Sequence, residues 1–258
     1  MFGDVFGELG NAARAKCAFL AKNPVGYFFA AALAGVFVGF GVLLAFSIGG
    51  QLSGAPYTSL AMGLSFGIAL SLVVMAGAEL FTGLNLVSFA GLVQKTISVA
   101  QAVKVSVACY IGNWLGAIVL AGIFFLTGLA NTDVGEFIAT IAARKMSTPA
   151  VELLFRGVLC NTLVCLAVWC GFRCKSESGK LIMIFWCLFA FVTSGFEHCI
   201  ANMTLLTLAL FTHLGEGISL GGYFYNLSIV TLGNIIGGTV FVALPYCVIS
   251  RKKEDVSA

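Results

Sequence analysis

The sequence predicts an all-α, polytopic membrane protein with six transmembrane helices, built as two inverted three-helix repeats whose second and fifth helices are interrupted. Composition is the first observation, because 60% of the 258 residues are hydrophobic and 10% are charged, whereas a typical soluble protein is about 25% charged. The second is a set of six apolar runs, and the third is a pair of motifs that recur in both halves. A soluble helical bundle is excluded because the runs lack polar faces at helical spacing.

The six apolar runs are each long enough to cross the hydrocarbon core, which takes about 20 helical residues. They lie at 27–50, 60–94, 104–128, 151–171, 181–212 and 227–249. We expect residues 1–258 to form a single transmembrane channel domain. Within it, residues 1–24 form an amphipathic N-terminal segment that ends at Asn23-Pro24, and residues 251–258 form a tail.

Lys and Arg residues predict which ends of the spans face the cytoplasm, because cytoplasmic loops are enriched in them. They cluster in the N-terminal segment, the second and fourth loops and the tail, whereas the loops at 51–59 and 213–226 contain none. The third loop departs from this pattern with Arg144 and Lys145. We therefore expect a multi-pass protein of the cell (inner, cytoplasmic) membrane with both termini cytoplasmic.

Two motif pairs indicate an internal duplication. IGNWLGA (111–117) and LGNIIGG (232–238) share Gly-Asn-x-x-Gly at an offset of 121 residues. GAELFTG (77–83) and GFEHCIA (195–201) share Gly-x-Glu at an offset of 118. Three spans per copy would invert the second copy across the bilayer, as in many transporters. We interpret the glycines of the first pair as sites of close helix packing.

The second and fifth runs are too long for one straight span, and each carries a polar cluster midway. Non-helical backbone at membrane depth is tolerated only where it is buried in protein or lines a cavity. We therefore predict interruptions at Glu79–Gly83 and Glu197–Asn202 that face each other near the midplane and form a substrate path. For the two glutamates we favour a structural role, accepting hydrogen bonds from freed backbone amides, over direct contact with substrate.

His198 breaks the symmetry of the repeat, because the corresponding residue of the first half is Leu80. A symmetric scaffold does not require a histidine in one copy. Histidine is also the side chain that most readily changes charge near physiological pH. The sequence therefore predicts that His198 serves the path itself.

The chain resembles the formate/nitrite transporter family, and within the family it is most similar to the nitrite-type and hydrosulfide-type branches. The resemblance covers residues 20–250 and lies in GAELFTG, KMSTPAVELLFRGVLCNTLVCLAVW, GFEHCIANMTL and NLSIVTLGNIIGG. It implies an aquaporin-like fold and a homopentamer in the lipid bilayer. Each protomer would then hold its own pore for a small monovalent anion.

The resemblance also implies roles for individual residues. The hydrophobic constrictions would be formed by Phe66, Leu70, Leu80 and Phe191. The polar pore residues would be Thr82, Asn161 and His198, with Lys145 on the extracytoplasmic side. Cys199 departs from the serine that the family commonly has after this histidine.

Three functions remain open from the sequence. The first is an anion channel or proton-linked transporter for formate, nitrite or hydrosulfide, among which the sequence does not choose. An aquaporin-type channel for neutral solutes is the alternative, and a membrane-embedded hydrolase is a remote one, because zinc hydrolases need more than one histidine ligand. We expect no enzymatic activity, no cofactor, no bound metal and no nucleic-acid partner.

Overall fold

The computed structural model describes residues 2–213, 215 and 217–250, so the predicted tail at 251–258 lies outside the described residues. The described chain is helical, with short connections between its helices. The α-helices are α1 Phe2–Lys22, α2 Pro24–Gln51, α3 Thr58–Ser65, α4 Ile68–Leu72, α5 Phe81–Val93, α6 Val99–Leu126, α7 Asp133–Ser147, α8 Ala150–Arg173, α9 Glu177–Thr193, α10 Cys199–Thr212, α11 Leu220–Gly238 and α12 Leu244–Ser250. Two π-helical turns, Val73–Gly77 and Thr239–Ala243, and a 3-10 turn, Leu129–Asn131, complete the set.

Five helical stretches in the described part are long and apolar enough to cross a membrane. They are Pro24–Gln51, Thr58–Gly77, Val99–Leu126, Ala150–Arg173 and Leu220–Ser250. Two shorter apolar helices, α5 and α10, each follow a non-helical interruption, here called a break. The all-helical, multi-span prediction is confirmed at this level.

The first break lies between the π-helical turn Val73–Gly77 and α5. Gly77 has a φ of +82°, the left-handed conformation that glycine adopts without a steric penalty. Ala78 and Leu80 are then extended. A glycine therefore turns the chain out of the helix, and helical structure resumes at Phe81.

The second break lies between the end of α9 at Thr193 and the start of α10 at Cys199. It repeats the geometry of the first break. Gly195 has a φ of +73°, and His198 is extended with φ −114° and ψ 115°. Each break thus has a glycine in the same unusual conformation where the chain turns out of the preceding helix.

The predicted breaks exist, but their boundaries were wrong. Residues 81–83 and 199–202 are helical, so Thr82 and Asn202 lie in the first turns of α5 and α10. The prediction was centred on the polar residues. The preceding helices end at Gly77 and Thr193, and the chain turns at Gly77 and Gly195 before those polar residues are reached.

The predicted N-terminal helix is α1, which ends before Pro24. Asn23 caps α2 by accepting a hydrogen bond from the Gly26 amide at 2.8 Å, and proline suits the first helical position because it lacks an N–H. Gln94 Nε2 donates to the carbonyl of Phe6 at 2.6 Å, which ties α1 to the end of α5. The N-terminal helix is therefore packed against the spans.

The glycines of the Gly-Asn-x-x-Gly motifs lie at helix contacts, as the sequence predicts. A Cβ at Gly116 would overlap the backbone of Ala32, where α6 crosses α2. A Cβ at Gly233 would overlap the carbonyl of Leu154, where α11 crosses α8. The packing interpretation of these glycines is confirmed.

Candidate functional site

Thr82 and His198 join the two breaks. The Thr82 Oγ1 and His198 Nε2 atoms are 3.1 Å apart, and the residues are 0% and 4% exposed. Each lies where a helix restarts after its break, Thr82 in the first turn of α5 and His198 immediately before α10. Two polar side chains 116 residues apart in sequence therefore meet inside the protein.

The hydrogen bonds of His198 define its tautomer. Its Nδ1 accepts a hydrogen bond from the Ala201 amide at 3.1 Å, so the imidazole caps the N-terminus of α10. A nitrogen that accepts a hydrogen bond carries no proton, so in the neutral ring the proton is on Nε2. We assign the contact between the breaks as His198 Nε2–H donating to the Thr82 hydroxyl oxygen.

Asn161 lies behind Thr82. Its Nδ2 donates to the carbonyl of Thr82 at 3.2 Å and to the carbonyl of Asn234 at 2.6 Å. Asn161 is fully buried, and its Oδ1 makes no hydrogen bond within the described structure. The structure therefore brings together Thr82, Asn161 and His198, the polar residues that the family resemblance implied.

Asn113 holds the first break in place. Its Oδ1 accepts from the freed amide of Phe81 at 3.0 Å, and its Nδ2 donates to the carbonyls of Glu79 and Ala31, each at 2.8 Å. All three bonds go to backbone groups. One buried side chain thereby satisfies backbone atoms that the interruption leaves unpaired, as membrane depth requires.

Asn234 repeats this arrangement at the second break. Its Oδ1 accepts from the amide of Cys199 at 2.9 Å, and its Nδ2 donates to the carbonyls of Glu197 at 2.9 Å and Gly157 at 2.8 Å. Sequence reasoning missed this role of Asn113 and Asn234. The signal was the asparagine shared by both Gly-Asn-x-x-Gly motifs, which we had explained by the glycines alone.

We predicted that Glu79 accepts hydrogen bonds from freed backbone amides, and this prediction was wrong. Its two carboxylate oxygens accept from Lys16 Nζ at 2.7 and 2.6 Å. The prediction failed because Asn113 already accepts the amide freed at this break, whereas the carboxylate requires a positive charge when it is removed from water. Lys16, on α1, was counted in the sequence only as a topology signal.

Glu197 also pairs with a lysine. Its Oε2 accepts from Lys145 Nζ and from Asn202 Nδ2, each at 2.7 Å. Asn202 also donates to Asn226 Oδ1 at 2.8 Å, and Asn226 Nδ2 donates to the carbonyl of Lys145 at 3.0 Å. The predicted residues Lys145, Glu197 and Asn202 therefore form one network, in which the lysine charge is neutralised.

A cavity of about 820 Å³, here named the vestibule, leads from the surface to His198. Phe66 and Phe191 line it, with ring centroids 5.6 Å apart in an edge-to-face arrangement. The Phe191 ring stacks on the imidazole of His198 at 5.9 Å. Leu70 and Leu80 are buried but do not line the vestibule. The aromatic pair thus lies directly next to the polar junction.

We expect the pair Lys145–Glu197 to behave as a coupled unit. The side chains are 16% and 3% exposed, and removing one partner of a buried ion pair typically costs about 3–5 kcal/mol because the other charge is left unpaired. Glu197→Gln and Lys145→Met should each destabilise the protein by that amount. The double variant should lose clearly less than the sum, measured as apparent Tm in detergent.

The pair Arg156–Glu152 provides the matched control. Its side chains are 40% and 53% exposed at a separation of 2.9 Å, and exposed pairs contribute at most about 1 kcal/mol. Arg156→Met should therefore change the apparent Tm little. Additive losses at Lys145 and Glu197 would contradict the coupled unit.

Comparison with known proteins gives a consistent result. The family model described as formate/nitrite transporter matches residues 4–248. The nitrite transporter NirC of Salmonella typhimurium is 39% identical over 255 residues, covering 98% of this chain and 94% of its own. Among solved structures, an FNT family ion channel matches with a TM-score of 0.91 and 37% identity, covering 96% of this chain and 99% of that one. A pentameric formate channel with formate bound matches with a TM-score of 0.80 and 30% identity, covering 90% and 99%.

Proposed function

The chain belongs to the formate/nitrite transporter family, and on that premise we propose that it carries nitrite, and formate less specifically, through a pore in each protomer. Membership makes it a multi-pass membrane channel or transporter of small anions. The choice of nitrite is supported by the likeness to NirC over 98% of the chain. The observation that carries the proposal is the vestibule, which is lined by Phe66, Phe191 and His198, and His198 in turn contacts Thr82.

We propose that six spans form two inverted repeats, each with one broken helix. The support is that equivalent residues make equivalent bonds in both halves. Asn113 and Asn234 each bind the amide that restarts a helix and the carbonyl of a glutamate. Each of those glutamates pairs with a lysine. An odd number of spans in each half would place the two breaks head to head.

The proposed assembly is a homopentamer in the cell membrane with both termini cytoplasmic. The pentameric formate channel supports the subunit number, at 30% identity over 90% of this chain. The distribution of Lys and Arg supports the orientation. Residues 1–258 then form one channel domain, in which 1–24 lie on the cytoplasmic side together with the tail.

Passage of an anion requires compensation for the water that it loses. Burying an ion without partners costs several kcal/mol, and phenylalanine side chains have no hydrogen-bond donor to replace the lost water. The His198 Nε2–H and the Thr82 hydroxyl are the donors beside this constriction. We propose that they turn from each other to the anion as it passes, replacing part of its hydration shell.

The capping bond of His198 favours hydrogen-bond donation over proton transfer. With Nδ1 accepting from the Ala201 amide, the neutral ring holds one proton, on Nε2. Giving up that proton would leave an anionic ring, and protonating Nδ1 would break the cap of α10. A ring that keeps its proton while donating a hydrogen bond satisfies both constraints.

Flux measurements test the proposed substrate directly. We expect proteoliposomes with the wild-type protein to take up nitrite and formate much faster than empty liposomes, with nitrite competing effectively against formate. Hydrosulfide uptake without nitrite uptake would contradict the proposal. Water or glycerol permeation without anion uptake would support the neutral-solute alternative, for which osmotic swelling is the assay. The proposal includes no enzymatic step, in keeping with relatives that are named as transporters and channels.

We expect Phe66→Ala to relax size selection at the aromatic pair. Removing the ring opens the contact with Phe191, so a larger monovalent anion such as lactate should pass several-fold faster relative to nitrite. The substitution should also cost about 3 kcal/mol, since Phe66 is 5% exposed. Phe66→Leu keeps an apolar side chain at the site and is the control. An unchanged ratio of lactate to nitrite flux in Phe66→Ala would contradict a constriction at Phe66.

A further inference from the structure

Counted over the described residues, the charges that line the vestibule do not balance. Three cations, Arg144, Lys145 and Arg156, share it with two carboxylates, Glu152 and Glu197. Lys145 is 2.7 Å from Glu197, and Arg156 is 2.9 Å from Glu152. Within the described part of the chain, no carboxylate lies within ion-pair distance of Arg144. Among the described residues, Arg144 is therefore the one cation of the vestibule without a carboxylate partner.

The position of Arg144 suits it to meet ions from solution. It lies in the last turn of α7 and is exposed. Its backbone is held, because its carbonyl accepts a hydrogen bond from Thr148 Oγ1 at 2.7 Å. Its guanidinium makes no hydrogen bond to any described residue. The partial negative charge at the C-terminus of a helix amounts to about half a charge, so it does not cancel the arginine.

We propose that Arg144 captures anions in the vestibule, and that its guanidinium selects anions that carry two oxygens on one atom, such as nitrite and formate, over hydrosulfide. A cleft of one sign of charge with low-dielectric walls raises the local concentration of the opposite ion. The planar guanidinium offers two parallel N–H groups, which match a carboxylate-like pair of oxygens. Hydrosulfide has a single sulfur, so it cannot offer a separate acceptor atom to each of the two parallel N–H groups. The proposal rests on the anion transport proposed above.

Two substitutions separate the effect of the positive charge from that of the two parallel N–H groups. Arg144→Gln removes the charge, whereas Arg144→Lys keeps the charge and removes the planar guanidinium. The measurement is the initial rate of uptake into proteoliposomes against nitrite and hydrosulfide concentration, at low and high ionic strength. For Arg144→Gln we expect KM to rise about three- to tenfold for both anions, with a maximal rate within about twofold of wild type and a weaker salt dependence. For Arg144→Lys we expect wild-type salt dependence and hydrosulfide KM, but a nitrite KM that stays raised.

Lys104→Gln is the matched control, because Lys104 is an exposed cation on α6 that does not line the vestibule. It should leave both KM values unchanged. Arg144→Gln with wild-type KM and salt dependence would overturn capture by Arg144. Arg144→Lys with wild-type KM for both anions would overturn selection by the guanidinium. A wild-type protein that carries neither anion would overturn the proposed function itself, a result distinct from either of these.

Discussion

Replacing His198 with phenylalanine is expected to lower nitrite flux in proteoliposomes by about ten- to a hundredfold across the pH range. The ring would keep its apolar contact with Phe191 but lose the Nε2–H that faces Thr82. A hydrogen bond to a charged group is worth about 1.5–3 kcal/mol, and each 1.4 kcal/mol of barrier is about tenfold in rate. Unchanged flux at every pH would remove the histidine from the mechanism.

His198→Asn is the control for two other effects of the phenylalanine substitution, which are the loss of the helix cap and the loss of a side chain that can titrate. Loss of the imidazole also removes the cap of α10, which is typically worth about 1 kcal/mol. Asparagine is a strong capping residue and retains an N–H donor, but it does not titrate. We expect His198→Asn to keep the stability of the wild type and an intermediate flux. An asparagine variant as inactive as the phenylalanine variant would instead show that proton transfer by the ring is required.

Asn234→Leu is expected to destabilise the protein strongly, because Asn234 holds the second break. The substitution would leave the Cys199 amide and the Glu197 carbonyl, which lie at the break, without the partner that Asn234 provides, and it would remove a further hydrogen bond from the carbonyl of Gly157. Each unsatisfied buried group costs about 1–3 kcal/mol, so the total should be at least about 3 kcal/mol. At about 2–4 °C per kcal/mol, the apparent Tm in detergent should fall by roughly 6–12 °C.

Asn85→Leu is the matched control for this substitution. Asn85 is 7% exposed, and its Nδ2 makes no hydrogen bond in the described structure. Replacing an unpaired polar group by an apolar one of similar size is close to neutral. The apparent Tm of Asn85→Leu should therefore stay near that of the wild type. Equal effects of the two substitutions would show that Asn234 does not hold the break.

The positions of the helix breaks were predictable to within a few residues, and their cause was not. Glu79 and Glu197 marked the right regions because a carboxylate in an apolar span is costly and therefore conspicuous. The chain turns away from the preceding helix at Gly77 and at Gly195, and the positive φ values of these glycines depend on how the chain turns. Glycine is frequent in membrane helices for packing reasons, so composition does not distinguish a glycine that ends a helix from one that packs.

The sequence and the family resemblance named residues that the structure brings together, but not the hydrogen bonds and ion pairs that connect them. His198 was identified by the failure of the repeat at that position, and Thr82 and Asn161 by family resemblance. The role assigned to Lys145 was incomplete, because its charge is neutralised by Glu197. Arg144, its neighbour in sequence, has no carboxylate partner in the part of the chain that the structure describes. Adjacent residues on a helix point in different directions. Lys145 therefore contacts Glu197, whereas Arg144 does not.

By itself the sequence determined that the chain is helical, that it crosses a membrane several times, that it is internally repeated and that it belongs to a family of anion transporters. These properties depend on hydropathy and local motifs, which are read along the chain. Only the tertiary structure decided which charges are paired and which donors meet. Lys16 and Glu79 are 63 residues apart, Lys145 and Glu197 are 52 apart, and Thr82 and His198 are 116 apart. Hydrogen bonds and ion pairs act over about 3 Å, so they exist only once packing has brought such distant residues together.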